Sequence, residues 1–316
     1  MGGVICNKWE GKMVRIIGKF FKWLSITILS VILIIVIYNI FDNNRIKVVE
    51  QEVEVVDLPE EFEGFKILQI ADLHGKTFGK NQKRLLKKMN AIDYDMIAIC
   101  GDMMDKHTED NKPFFDILDG LENKENIFYV KGDTGLEAVN ENIGEITSDG
   151  QLLIEKGCKV LDKPYAITRG ESTLWVSRFI NGTTFYNETG VDKDNDNSVK
   201  VVVTHYPRHE NHYATDQNIP DYNLVLAGHY HAGQIRIPFY GALFIPDVFA
   251  PVYFFPDQKE VKGLITWGNT NQYVTAGLGA NAPYKLLQFR LFNTPEINVL
   301  TLTKRAKQYE DIINNM

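Results

Sequence analysis

The sequence predicts an α/β protein held to a membrane by one helix near its start. Two observations carry the globular part. Between residues 66 and 227 short apolar runs alternate with helical stretches, the pattern of parallel strands joined by helices. Each of five apolar runs also ends at once in a carboxylate or an imidazole. A third observation sets the amino terminus apart: residues 24–40 (LSITILSVILIIVIYNI) hold no charge.

Length and composition set the limits. With 316 residues, 44% hydrophobic and 24% charged, the chain is long enough for one large globular domain with a substantial core. A net charge of -7 excludes the basic surface expected of a nucleic-acid binder, and an acidic substrate needs a local cation to bind here. Cys6, Cys100 and Cys158 are too few and too scattered for a disulfide framework, and Cys100 is expected in the core.

The charge-free run, with Phe20, Phe21 and Trp23 before it, approaches the roughly 20 apolar residues that span a bilayer. Lys8, Lys12, Arg15, Lys19 and Lys22 precede it, whereas Arg45 and Lys47 come after, followed by Glu50, Glu52 and Glu54. The positive-inside rule then keeps 1–23 cytoplasmic as a basic tail, makes 24–41 the transmembrane anchor and places the body of the chain outside. No small-x-small cleavage site succeeds the run, so an uncleaved anchor is expected rather than a signal peptide. The opening Met1-Gly2-Gly3 is no myristoylation start, because Cys6 stands where that motif needs Ser or Thr.

Residues 42–64 form a linker and edge strand, in which 46–56 (IKVVEQEVEVV) alternates with period two. The run 66–71 (KILQIA) reads as a buried parallel strand between Gly64 and Gly75. A helix is expected over 81–91, a strand over 96–100, and a helix over 113–121 that opens on Pro113. A strand over 127–130, a helix over 136–154 broken at Gly144 and Gly150, and two strands over 159–179 around Arg169-Gly170-Glu171 come next. Strands at 199–204 and 224–227 complete the series. A polar tail is expected over 304–316.

The strand ends carry the chemical signal. Asp72 and His74 close the first, Gly101-Asp102 the second, Gly132-Asp133 the third, His205 the fourth and Gly228-His229-Tyr230-His231 the fifth. Singly, such a His is a satisfied loop residue and such a Gly-Asp is a turn. Jointly, if the strands are parallel neighbours, the groups converge on one sheet edge, where α/β folds bind ligands. Three Asp and four His exceed the ligands of one tetrahedral zinc site, and two metals sharing a carboxylate fit the number better.

In this order the motifs resemble those of the calcineurin-like metallophosphoesterases. The stretch 227–238 (AGHYHAGQIRIP) looks like their membrane-associated bacterial subgroup related to UDP-2,3-diacylglucosamine hydrolases. The resemblance covers 65–302 and implies a four-layer α/β/β/α sandwich over 65–303. It also implies a hydrolase with two divalent metal ions: Asp72, His74 and His231 on one, Asp133, His205 and His229 on the other, and Asp102 bridging. Two cations about 3.5 to 4 Å apart hold a hydroxide at neutral pH and clamp phosphoryl oxygens. Imidazole and carboxylate ligands together suit manganese, iron or zinc.

One motif departs from the family. Where Gly-Asn-His is expected, this chain has Gly132-Asp133-Thr134. Asp133 still offers a ligand, but Thr134 is no acid at neutral pH, and loss of general-acid help forfeits about 100- to 10,000-fold in rate. His209 or His212 is a stand-in within reach by sequence. Two further stretches are weighed and set aside: 192–196 begins like a calcium loop, but Asn197 replaces its glycine. The aromatics Phe239, Tyr240, Phe244, Phe249, Tyr253, Phe254 and Phe255 suit core packing as well as an acyl-chain groove or bilayer contact.

The expected function is phosphodiester, pyrophosphate or phosphomonoester hydrolysis in a lipid-linked or envelope substrate, with Asp102, Thr134 and His205 as the catalytic candidates. The partners expected are that phosphorylated substrate and the membrane, with no nucleic acid. The alternative is a protein that binds phosphorylated envelope ligands through its metals with little or no turnover.

Overall fold

The computed structural model describes residues 2–108, 110–140, 144–209, 222–246, 253–282, 284 and 287–305, with side chains from residue 13 onward. It opens with one long helix, α1 (Gly2–Asn43). Over Met13–Asn43 this helix is long and apolar enough to cross a membrane, and none of its apolar stretch packs into a core. The basic flank expected as a separate tail continues the same helix, since Lys and Arg are good helix formers.

Two six-stranded sheets come next. In the first the order is β1 (Lys47–Val55), β16 (Glu296–Lys304), β2 (Lys66–Ile70), β3 (Met96–Cys100), β4 (Ile127–Val130) and β5 (Cys158–Val160). The second runs β14 (Gly263–Trp267), β15 (Thr270–Val274), β9 (Leu224–Ala227), β8 (Val199–Val203), β7 (Ser172–Ser177) and β6 (Tyr165–Arg169). Two short antiparallel pairs lie between β9 and β14 in the chain: β10 (Arg236–Ile237) with β11 (Gly241–Ala242), and β12 (Phe244–Ile245) with β13 (Tyr253–Phe254). Strands β2 to β5 are parallel in the first sheet, and β7, β8, β9 and β15 are parallel in the second. The period-two segment after α1 is indeed an edge strand, parallel to β16.

The strand pleat explains the layers. Ile67, Met96, Ala98 and Phe128 point between the sheets and meet Leu174, Val176, Val201, Val203 and Leu226. Their neighbours Leu68, Ile70, Ile97 and Ile99 point the other way, onto α2 (Lys83–Met89), α3 (Lys112–Gly120) and α4 (Ser148–Glu155). On the far side α5 (Gly182–Thr189) covers the second sheet through Phe185, which meets the Trp175 ring edge-on at 6.2 Å between centroids. Helix, sheet, sheet and helix make the four layers that the resemblance implies.

The structure corrects three expectations. The helix over 136–154 is confined to α4; upstream of it Val139 and Ile146 pair as an isolated antiparallel bridge. Gly150 sits within α4 because a Cβ there would lie 2.2 Å from the Ala138 carbonyl oxygen. The functional strand ends do not share one sheet edge. Strands β2, β3 and β4 belong to the first sheet and β8 and β9 to the second, so the groups gather where two sheets end together. Core packing fails for most of the aromatic stretch: Phe239, Tyr240, Tyr253, Phe254 and Phe255 are exposed. Phe249 lies outside the described residues, as does His212.

Candidate metal centre

Buried polar contacts tie the two sheets together beneath the site. Gln69 Nε2 on β2 donates to the Ala227 carbonyl on β9 at 3.0 Å, and His205 Nδ1, just past β8, lies 2.9 Å from the Cys100 carbonyl on β3. A carbonyl only accepts, so His205 Nδ1 carries the hydrogen and Nε2 is left as a lone-pair donor. The ladder between β2 and β3 also runs past the strand ends, with Asp72 N–H on the Gly101 carbonyl and His74 N–H on the Asp102 carbonyl, at 3.0 and 2.9 Å.

These turns are tight. Asp72, His74, Asp102, His229 and His231 all have positive φ, between 46° and 68°. That region costs a non-glycine residue about 1–2 kcal/mol, least for Asp and His, and such strain collects at functional sites. The glycines beside them leave no room for a side chain. A Cβ on Gly132 would lie 2.4 Å from Asp102 Oδ1, and one on Gly101 would lie 2.7 Å from His205 Nδ1.

The result is two clusters of ligand atoms, Asp72, His74, Asp102 and His231 in one and Asp133, His205 and His229 in the other, each within 4.8 Å. His74 Nε2 lies 3.3 Å from His231 Nε2, and His229 Nδ1 lies 3.1 Å from His205 Nε2. Asp102 Oδ2 stands between the clusters, 3.3 Å from His74 Nε2 and 3.6 Å from His205 Nε2. Asp133 is half exposed, its Oδ2 3.4 Å from His229 Nδ1, and its Oδ1 accepts from the Tyr206 hydroxyl. All seven residues singled out from the sequence therefore meet.

The electrostatics suit cations. Burial, seconded by Asp102, pushes the Asp72 carboxyl up to about 7, although His205 opposes it. Burial holds His74 and His229 down near 4 and His231 well below the usual imidazole range. Neutral imidazoles are the form that binds metal. Asp72 Oδ2, His74 Nδ1, His229 Nε2 and His231 Nδ1 are buried with no hydrogen-bond partner among the described residues. The unpartnered Asp72 Oδ2 and a mixed nitrogen and oxygen set fit divalent transition metals.

Thr134 takes a different part from the one its sequence position suggested. Its N–H donates to Asp102 Oδ1 at 2.7 Å, and its hydroxyl lies 3.2 Å from the same oxygen and 2.9 Å from the Met104 carbonyl. It orients Asp102. His209, the described stand-in acid, faces elsewhere: its Nδ1 is 3.2 Å from Glu260 and its Nε2 3.4 Å from the Tyr230 hydroxyl.

Sequence reasoning missed Tyr206, Arg290 and Asn293. Tyr206 packs edge-on to the His205 and His229 rings, and its place directly after His205 was the available signal. Arg290 is fully buried, and its guanidinium donates to the carbonyls of Gly279, His231 and Asn293. Asn293 Nδ2 donates to the same His231 carbonyl at 2.7 Å. No local pattern announces either residue. Arg290 is itself clamped by the end of α1: Asn43 Nδ2 donates to its carbonyl and Asn43 Oδ1 accepts from its N–H, at 2.7 and 2.9 Å.

A family model described as calcineurin-like phosphoesterase matches residues 65–233. An uncharacterized metallophosphoesterase of Campylobacter jejuni is 27% identical over 299 residues, 92% of this chain and 72% of that protein. The uncharacterized metallophosphoesterase YkuE of Bacillus subtilis is 27% identical over 270 residues, 82% of this chain and 86% of its own. A Danio rerio protein named for a transmembrane segment and a metallophosphoesterase domain is 25% identical over 277 residues, 81% and 57% of the two chains.

The geometry predicts two outcomes for metal binding. Arg290→Lys keeps a charge but loses the planar fork that holds the His231 loop. A supporting contact of that kind is worth about 10- to 100-fold in metal affinity, which a competition titration measures. Unchanged affinity would show that the loop needs no such support. At about pH 6 the Asp72 carboxyl is protonated and must release its proton to bind metal, whereas His74 and His229 are already neutral. Affinity therefore rises with pH through about 7 and then levels. Calorimetry in buffers of different ionisation heat should find close to one proton released at about pH 6 and almost none at about pH 8.5; the reverse order would reject the role given to Asp72.

Proposed function

The chain belongs to the calcineurin-like phosphoesterase family, and on that premise we propose a membrane-anchored, two-metal phosphoesterase. Its substrate is a phosphodiester, pyrophosphate or phosphomonoester of a lipid-linked or cell-envelope molecule. The observation that carries the two-metal reading is Asp102 Oδ2, which faces His74 Nε2 and His205 Nε2 across short gaps. Asp72, His74 and His231 would hold one cation, Asp133, His205 and His229 the other, with Asp102 shared. Such ions, as manganese, iron or zinc, supply Lewis acidity toward phosphoryl oxygens and lower the pKa of water.

The chain's own groups prepare that chemistry. Thr134 N–H fixes one oxygen of Asp102 and leaves the other for the cluster. The Cys100 carbonyl fixes the His205 tautomer, and Arg290 with Asn293 holds His231 in its left-handed turn. The basic flank before the apolar run supports a cytoplasmic amino terminus with the domain on the other side. A second reading, recognition of phosphorylated envelope ligands with little turnover, draws on Asp133 and Thr134. Together they add negative charge and remove an imidazole where the substrate would sit.

If Asp102 serves both ions, Asp102→Ala empties the site more completely than His74→Ala, which removes a ligand from one. Metal analysis of the two purified variants decides this, and full occupancy in Asp102→Ala would sink the bridging assignment. Turnover of an aryl phosphate, an aryl phosphodiester or a UDP-lipid by the manganese-loaded protein separates enzyme from recognition module.

The missing acid has a signature of its own. Without a proton donor an alkoxide departs slowly, whereas an aryloxide with a pKa near 7 leaves almost unaided. The wild type is expected to show a steep dependence of rate on leaving-group pKa. Asp133→Asn with Thr134→His should flatten it by accelerating alkyl esters selectively. Equally shallow lines for both proteins would mean that another group, with Tyr206 the nearest phenol, already gives the proton.

A further inference from the structure

Beside the metal cluster lies a cavity whose opposite wall is the end of α1. It encloses about 530 Å³ between Asn39, Ile40 and Asn43 on the helix and the segment from His74 through Lys76, a size typical of small-molecule sites. Its walls carry polar atoms with nothing to bind. Asn39 Oδ1 and Gln288 Nε2, both on lining residues, are buried without a hydrogen-bond partner among the described residues. The Lys76 ammonium forms no hydrogen bond or ion pair among those residues and rests over the Phe78 ring, 4.9 Å from its centroid.

The position of the cavity says where its ligand comes from. Asn39 and Ile40 close the charge-free stretch, and Asp42, Asn43, Asn44 and Arg45 come directly after. With α1 across a bilayer, these residues mark the boundary where polar headgroups lie. His74, a member of the metal cluster, lines the same cavity.

Resting on the membrane-anchored reading above, we propose that this cavity binds the phosphomonoester headgroup of a lipid whose acyl chains stay in the bilayer. The phosphate lies toward His74 and accepts from Lys76 Nζ, which gives a half-buried donor its missing acceptor. The phosphate hydroxyl donates to Asn39 Oδ1, and Gln288 Nε2 donates to an ester carbonyl of the same lipid. Asp105 and Asp110 on the same wall disfavour a second anionic group by like-charge repulsion.

The full chain in phosphatidylcholine nanodiscs, with and without phosphatidic acid, is treated with an amine-acetylating reagent and modification is read by mass spectrometry. Phosphatidic acid is expected to slow acetylation of Lys76 about tenfold relative to the exposed Lys80 and Lys83. No protection, or equal protection in phosphatidylcholine alone, overturns the proposal. Soluble glycerol phosphate separates the two sources of the same chemistry: protection equal to that by the lipid shows a free-phosphate site and overturns the lipid assignment. Asn39→Trp fills the cavity from the helix side and should lower turnover of the lipid about tenfold more than turnover of a soluble aryl phosphate; equal losses count against it. Because footprinting needs no turnover, a protein that hydrolyses nothing yet shows Lys76 protection defeats the enzymatic reading and supports the cavity assignment.

Discussion

Four buried imidazoles and two buried carboxylates stand within a few ångströms of one another where two sheets end. In an apolar surrounding such a set is expensive unless cations neutralise it, since unpaired buried charge costs far more than the turns that gather it. The rest of the architecture around the site depends on that constraint. Strained left-handed turns, glycines with no room for a Cβ and hydrogen bonds that bind one sheet to the other all keep these groups together despite their mutual repulsion.

The support reaches farther than the strand ends. His231 is held through its carbonyl by Arg290 and Asn293, and Arg290 is held through its backbone by Asn43, the last residue of α1. Asp42 adds to the same junction, accepting from Arg45 and from Thr294. The helix long and apolar enough to cross a membrane is thus tied to the shell of the candidate metal site.

The departure at 133–134 looks different in three dimensions than it does in one. As a missing imidazole it is a loss. In the structure the same Thr134 grips Asp102 with its N–H, and Asp133 is tied to the Tyr206 phenol. The Thr134 hydroxyl reaches the same oxygen of Asp102 and the Met104 carbonyl, so residue 134 helps to orient a carboxylate of the cluster.

Much of this was legible in one dimension because it is local. Strand runs such as 96–100, 127–130 and 224–227 coincide with β3, β4 and β9, since continuous apolar runs bounded by glycine have few other ways to be buried. The ligand residues were legible from the same runs, because a side chain just past a parallel strand has one place to point. What one dimension left open depends on contacts between distant segments. The split into two sheets rests on β15 and β16, which pair with strands far away in the chain. The stretch before α4 looked helical by composition, but Val139 and Ile146 pair there in an antiparallel bridge that no periodicity encodes. Arg290 is 59 residues from the carbonyl it holds and 247 from the asparagine that holds it. The sequence by itself determined which Asp and His residues gather at the strand ends and that a long apolar helix precedes them. The tertiary structure alone decided that helix and metal site share a wall, because that wall exists only once the ends of the chain have met.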